Sequence, residues 1–428
     1  MGTVSFLSLS LTLSLSVAVF NCKPAFAKEI SSMDRGLILK RALEVAPETS
    51  AAKAEIAAVR AKILDARLFP EEELELEIEE FGLDSPGISK SEFSLAWFRN
   101  LEPKSRRNLR IELSRSKGAA SKEAQARSLL NFLYEVSRAY YEVLAKEAAM
   151  ELAKRKEHLA SELHRVASKR VEVGAAAGLE EERASIELEA ARVETKRAKR
   201  SFESAREVLA SFLNWPASKL QRLEGNVDGQ TPLPSLQDSL ERMSKEHPLL
   251  SLLKERRDGA QASLELAKNR SRGNLRSIFG VRHFSANAET TLFMGLSLPL
   301  KQQRRGRAAK ERHRARIEKL AYERTTVVRK LKRRIEKAVS DASAAREELQ
   351  AIEGRILPRA ELVFSSVKKA YLRGELSYSD LLSAERELVE AEHRRLAVLD
   401  ELRASLLALE YHSGGSSMMD SLIEEALQ

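Results

Sequence analysis

From Asp34 to Leu68 apolar residues recur every three or four positions, an amphipathic helical pattern that Pro70 ends. The period then drops to two. Leu74, Leu76 and Ile78 alternate with Glu73, Glu75, Glu77 and Glu79, and after the turn signal Asp84-Ser85-Pro86-Gly87 a second run sets Phe93, Leu95 and Trp97 against Ser94 and Ala96. This predicts a β-hairpin over 73–98. From about Arg106 to Val173 there is no proline and a single glycine, Gly118. At 1.5 Å per residue such a helix runs about 100 Å, several times the length usual in globular proteins. Gly174 and Gly178 bracket a turn, and a shorter helix returns from Leu179 to Leu213, stopped by Pro216.

The same order then repeats. After a Gly- and Pro-bearing linker over 225–235, a helix is expected from Leu236 to Lys268 and strands at 275–284 and 290–300. The second strand alternates Leu292, Met294, Leu296 and Leu298 with Gly295 and Ser297, and Pro299 closes it. A long helix follows from Arg304 to Arg373, broken or kinked at Pro358. Gly374 makes the turn, and Ser377 followed by Asp380 has the spacing of a capping box for a returning helix that reaches Leu409. The repeat is literal at the turns. RVEVGAAAGLEEERASIELEAAR from Arg170 aligns without a gap on AYLRGELSYSDLLSAERELVEAE from Ala370, pairing Gly174 with Gly374 and Glu187 with Glu387. Pro47 and Pro248 each stand nineteen residues before an alanine, Ala66 and Ala267, in Ala-rich helical patterns. One structural half has been duplicated. The predicted organisation is a leader at 1–27, a first repeat at 28–224, the linker, a second repeat at 236–412, and a tail at 413–428.

Composition agrees with long helices packed side by side: aromatics are 5% and charged residues 32%. The net charge of +9 invites a nucleic-acid reading. The amino terminus argues against it, because Phe6 to Phe20 is an apolar, Ser-rich run followed by Ala25-Phe26-Ala27, a small-x-small cleavage pattern. No Lys or Arg precedes that run. Cys22, the single cysteine, lies within the 1–27 leader; lipidation there is the alternative to cleavage after Ala27, although Val19-Phe20-Asn21 is bulky for a lipidation site. Past the leader no apolar run approaches the roughly twenty residues of a spanning helix, so any crossing of a membrane must be made by strands.

The fold class expected is mainly α with a small β part: long antiparallel helical hairpins plus four strands per chain. A hairpin with an apolar outer face needs a core or lipid. Four strands are too few to close a membrane barrel, but three chains supply twelve, and closure satisfies every backbone group in hydrocarbon. A soluble two-hairpin sheet on a helical bundle is the competing reading. In a barrel, Leu74, Leu76, Ile78, Phe93, Leu95, Trp97, Leu292, Met294, Leu296 and Leu298 face lipid, and Glu73, Glu75, Glu77 and Glu79 form an acidic ladder toward the lumen. As a solvated strand face the same glutamates would serve solubility alone.

With this order of elements the chain resembles the outer-membrane efflux (TolC-like) family over nearly its whole length. It is most similar to the branch serving cobalt–zinc–cadmium resistance pumps. The residues that carry the resemblance are Pro70 through Gly82 (PEEELELEIEEFG), Glu92-Phe93-Ser94-Leu95, Gly280-Val281-Arg282-His283-Phe284 and Gly295-Leu296-Ser297-Leu298-Pro299-Leu300. The resemblance implies a homotrimer in the outer membrane of a Gram-negative bacterium, with twelve strands above a helical periplasmic tunnel. It implies as partners a periplasmic adaptor and an inner-membrane resistance-nodulation-division pump. It also implies a gate at the tips beside Gly174 and Gly374, where Tyr371 matches a constriction tyrosine, Asp380 an aspartate of an acidic ring, and Glu180 the corresponding place in the first repeat. Ser377 and Asp380 also read as a plain helix cap. The chain departs from the family at Leu376, where arginine is frequent, at Ser383 in place of a second acid, and in the basic run that begins at Lys301.

No glycine-rich phosphate loop, nucleophile elbow or metal-ligand spacing occurs, and His158 and His164 are six apart, a poor spacing for one helical face. The expectation is no enzyme, no cofactor and no resident metal. The function expected is the passive exit duct of a tripartite efflux system, exporting divalent metal cations. Efflux or type I secretion of organic compounds or polypeptides is the second reading, and a poreless periplasmic coiled-coil scaffold the third.

Overall fold

The computed structural model describes residues 33–80, 90–220, 222–225, 232–270, 275–298 and 303–428. The leader with Cys22, the turn at Asp84 to Gly87, most of the linker, and Pro299 to Gln302 lie outside the described residues.

The first repeat comprises α1 (Arg35–Val45), α2 (Pro47–Asp65), β1 (Glu72–Glu79), β2 (Glu92–Leu101), α3 (Lys104–Glu172) and α4 (Gly178–Phe212). The second comprises α5 (Leu236–Glu246), α6 (Pro248–Arg270), β3 (Leu275–Phe284), β4 (Glu289–Ser297), α7 (Gln303–Ala351), α8 (Leu357–Leu372) and α9 (Tyr378–Ser413). Each half opens alike: the Asp34 carboxylate accepts from the Leu37 N–H, and the Ser235 hydroxyl from the Asp238 N–H.

Three predicted helices differ in detail. The helices expected over 34–68 and 236–268 are each split at a proline. Pro47 and Pro248 start a new helix, because the residue before a proline is driven to extended backbone: Ala46 has ψ 128° and His247 ψ 118°. The expected break at Pro358 takes the form of one π-helical turn, Ile352–Ile356, which absorbs the proline without ending the rod. The tail beyond Gly414 forms a further helix, α10 (Ser417–Leu427), whose Met419, Ile423 and Leu427 are buried.

The strands form one antiparallel sheet in the order β1-β2-β3-β4. Helices continue them in the same order, with α2 leading into β1, β2 into α3, α6 into β3 and β4 into α7, and α2, α3, α6 and α7 pack as neighbours. The largest core is halfway down this wall. There α1, α10 and the segment around Leu213, Leu220 and Leu223 close over Leu129, Leu133, Val136 and Tyr140 of α3. Smaller clusters join α7 to α9 and seal the hairpin tips. No helix among the described residues is long and apolar enough to cross a membrane.

Candidate functional site

Two places carry the predicted site residues: the sheet and the hairpin tips. In the sheet the register puts Leu74 opposite Trp97, Leu76 opposite Leu95 and Ile78 opposite Phe93; Leu95 in turn pairs with Val281 and Val281 with Leu292. Partners across a ladder share a face, so these side chains form one apolar surface. It is uncovered: Leu292 is 84% exposed, Met294 79%, Leu296 71% and Leu74 70%. Phe93 and Trp97 are half-buried on the same face, and Trp97 leans on Phe279 with ring centroids 6.0 Å apart. At the helix-proximal end the face turns polar, where the Trp97 indole N–H donates to Glu72 (3.0 Å) and Arg99 pairs with Glu72 (3.3 Å). Strands of 8 to 10 residues reach about 26–33 Å, enough for an apolar band about 25 Å tall once tilted.

The opposite face holds Glu73, Glu75, Glu77 and Glu79, as the alternation predicts. Two arginines on this face temper its charge, one of them through the ladder itself. Arg276 bonds Glu73 and stacks on Phe98, and Arg282 pairs with Glu92 at 2.9 Å. Glu75, Glu77 and Glu79 form no ion pair among the described residues. Gly280 is required here: a Cβ would stand 2.3 Å from the Phe293 ring that covers it.

At the tips, Gly174 (φ 70°) and Gly374 (φ 80°) adopt left-handed backbone that a side chain would strain. Tyr371, at the end of α8, lies buried against the first repeat. Its hydroxyl donates to Glu180 at 3.1 Å, Arg170 Nη1 donates to its carbonyl at 2.7 Å, and the Arg170 guanidinium sits 4.4 Å from its ring. Burial first, then the Glu180 carboxylate, push the phenol above its ordinary pKa. Tyr378 is buried beside Tyr371 at 5.9 Å between centroids. The Ser377–Asp380 capping box forms, and the Ser377 hydrogen bonds hold the Asp380 carboxyl below its usual range. Asp380 thus caps α9 and stays exposed at the tip. Lys368 bonds Glu162 (3.1 Å) and Arg386 bonds Glu187 (2.6 Å), adding two ties between the halves.

Sequence reasoning missed Arg170, Tyr378 and Glu385. Glu385 is 7% exposed, and burial, followed by the nearby Glu187 carboxylate, pushes it up to about 7. Its signal in the sequence was a charge on the apolar face of α9, one helical turn past Leu381. No cluster of metal-ligating side chains occurs among the described residues.

An amphipathic sheet that runs strand by strand into a wall of very long helices defines the architectural class: a small antiparallel sheet on long antiparallel helical hairpins. A model of the outer membrane efflux protein family matches residues 38–214, the first repeat. The cobalt-zinc-cadmium resistance protein CzcC of Cupriavidus metallidurans is 24% identical over 409 residues, covering 93% of this chain and 94% of that protein. Among solved structures, CusC superposes with a TM-score of 0.74 at 17% identity over 89% of this chain and 92% of that one. Vibrio cholerae VceC superposes with 0.72 at 16% identity, over 89% and 96%. The family model thus covers the first repeat, and the likeness to the two solved channels, which extends over most of the chain, is one of fold.

Proposed function

We propose that the protein is the homotrimeric exit duct of a tripartite efflux system, working with a periplasmic adaptor and an inner-membrane resistance-nodulation-division pump, and that its cargo is divalent metal cations. The observation that carries the duct is the four-stranded sheet, apolar and uncovered on one face, charged on the other, with β1 and β4 as open edges. Three such sheets close into twelve strands with lipid outside and the unpaired Glu75, Glu77 and Glu79 inside. The likeness to CzcC supports the metal cargo. In this reading Tyr371, held by Glu180 and Arg170, locks the second hairpin inward, and three copies of Asp380 meet near the axis, where like charges repel. Docking of the adaptor at the Gly174 and Gly374 tips releases the lock.

The test is single-channel conductance of the detergent-purified protein in a planar bilayer, with D380A beside it. A cation-selective pore that widens in D380A supports the reading. Silence from both proteins favours the scaffold. Deleting the gene and finding unchanged tolerance to cobalt, zinc and cadmium removes the metal cargo and leaves the duct.

A further inference from the structure

The basic run is the feature the proposed function does not absorb. Between residues 303 and 337 there are fifteen Lys and Arg against four Asp and Glu, more net positive charge than the +9 of the entire chain. Its ion pairs are local to α7: Arg314 with Glu311, Lys319 with Glu323, Lys332 with Glu336 and Lys337 with Asp341. Arg316 has no partner among these pairs. It lines a cavity of about 660 Å³ in which α6 forms the floor and α3 and α7 the walls. Lys117 of α3 and Arg256 of α6 complete a trio of cations without ion pairs among the described residues. Ser116 supplies a hydroxyl, while those of Ser121 and Ser263 donate to Glu55 (3.3 Å) and to the Gly259 carbonyl (2.8 Å); Ala120, Ala124 and Ala260 give an apolar lining, and Glu255 is the single acid.

The direction in which this groove opens follows from α3. Lys117, Ser121 and Ala124 each stand nine residues before Ala126, Leu130 and Leu133, which pack in the core closed by α1 and α10. Nine residues are two and a half helical turns, so the two sets lie on opposite sides of the helix. In a ring of such walls the added layer of α1 and α10 must lie outside, since inside it would obstruct the conduit. The groove therefore opens into the tunnel. This step rests on the channel reading above.

We propose that the groove between α3, α6 and α7 is a binding site for a small organic polycarboxylate of citrate size, which Lys117, Arg256 and Arg316 engage from the tunnel wall. Guanidinium groups meet carboxylates in paired hydrogen bonds, the Ser116 hydroxyl completes the shell, and the alanines accept the carbon skeleton. Such polyanions chelate divalent metals. A cationic zone in a metal-exporting duct is then reconciled with its cargo, because the ion passes this stretch in the company of its organic ligand.

The test is equilibrium dialysis of radiolabelled citrate against the detergent-purified full chain, comparing the native protein, R256Q/R316Q and R329Q. Arg329 lies on the far side of α7, thirteen residues beyond Arg316, and removes the same type of charge. Saturable binding that weakens at least tenfold in R256Q/R316Q and persists in R329Q is the expected result. No saturable binding, or equal loss in both variants, overturns the site. The reversal potential in a KCl gradient tests its placement independently: R256Q/R316Q should move toward cation selectivity and R329Q should not. Binding with an unmoved reversal potential in a conducting protein overturns the tunnel-facing position. A native protein that binds citrate and never conducts sinks the channel reading alone.

Discussion

Tyr371 and Glu385 are two buried polar side chains at the tips with opposite consequences. The Tyr371 hydroxyl has a carboxylate partner, and a hydrogen bond to a charged group contributes on the order of 1.5–3 kcal/mol. Y371F keeps the ring over Arg170 and removes only the bond to Glu180. Its expected phenotype is a more frequently open channel with an unchanged far-UV circular dichroism spectrum. Glu385 is instead a liability at high pH. Its folded-state pKa of about 7 lies above the ordinary 4.5, so its stabilising share is fully present below pH 4.5 and is lost as pH rises through 7. E385Q should therefore melt higher than the native protein at pH 8, by an amount on the order of 2 kcal/mol, and equally at pH 4.5. Equal melting at both pH values would show that Glu385 ionises without cost. The sequence could place Tyr371, Glu180 and Asp380 at the hairpin tips, because each stands a few residues from a repeated turn glycine. It did not supply the contacts of Arg170 with Tyr371 or of Glu385 with Glu187, since a helical pattern does not say which side chain of one hairpin meets which of the other.

Among the elements, the proline-started helices show what pattern alone leaves open. Hydrophobic periodicity runs through Pro47 and Pro248 unbroken, and only the steric effect of a proline on its predecessor splits the rods. Strands were legible because a two-residue period in a glutamate-rich segment has no helical explanation. The tail was not, because eleven residues give too little periodicity to reveal that α10 completes the main core. The α5–α6 joint is also pH-sensitive. His247 Nδ1 accepts from the Leu249 N–H at 3.1 Å, and burial, followed by His412 and Arg127, brings His247 down to about 4. His412, half-buried, is also lowered to about 4, by desolvation first and then by Arg334. Both stabilise fully above pH 6.5 and lose that contribution as pH falls toward 4. Melting temperature should fall between pH 6.5 and 4.5, and H247N, which keeps an acceptor but does not titrate, should flatten the fall. In the sheet, G280V drives a side chain into Phe293 and should leave the helices intact while abolishing the proposed trimer, assayed as a heat-sensitive band by gel electrophoresis.

For the whole molecule, the two faces of the sheet make unequal demands. An aspartate at Leu292, the most exposed apolar position of β4, places charge in hydrocarbon at a depth-dependent cost on the order of 1–4 kcal/mol. L292D should be lost from the membrane fraction of cells, whereas E75Q on the opposite face should insert normally and shift only ion selectivity. Normal insertion of L292D would place that face against protein instead of lipid. The duplicated halves also leave a chain on its own with a sheet bounded by two bare edges, β1 at one side and β4 at the other. Such an edge templates whatever strand meets it first. If the sheet closes as proposed, dosage follows from this: a cell that makes the polypeptide faster than three copies find one another is expected to accumulate strand-paired deposits unless surplus copies are degraded.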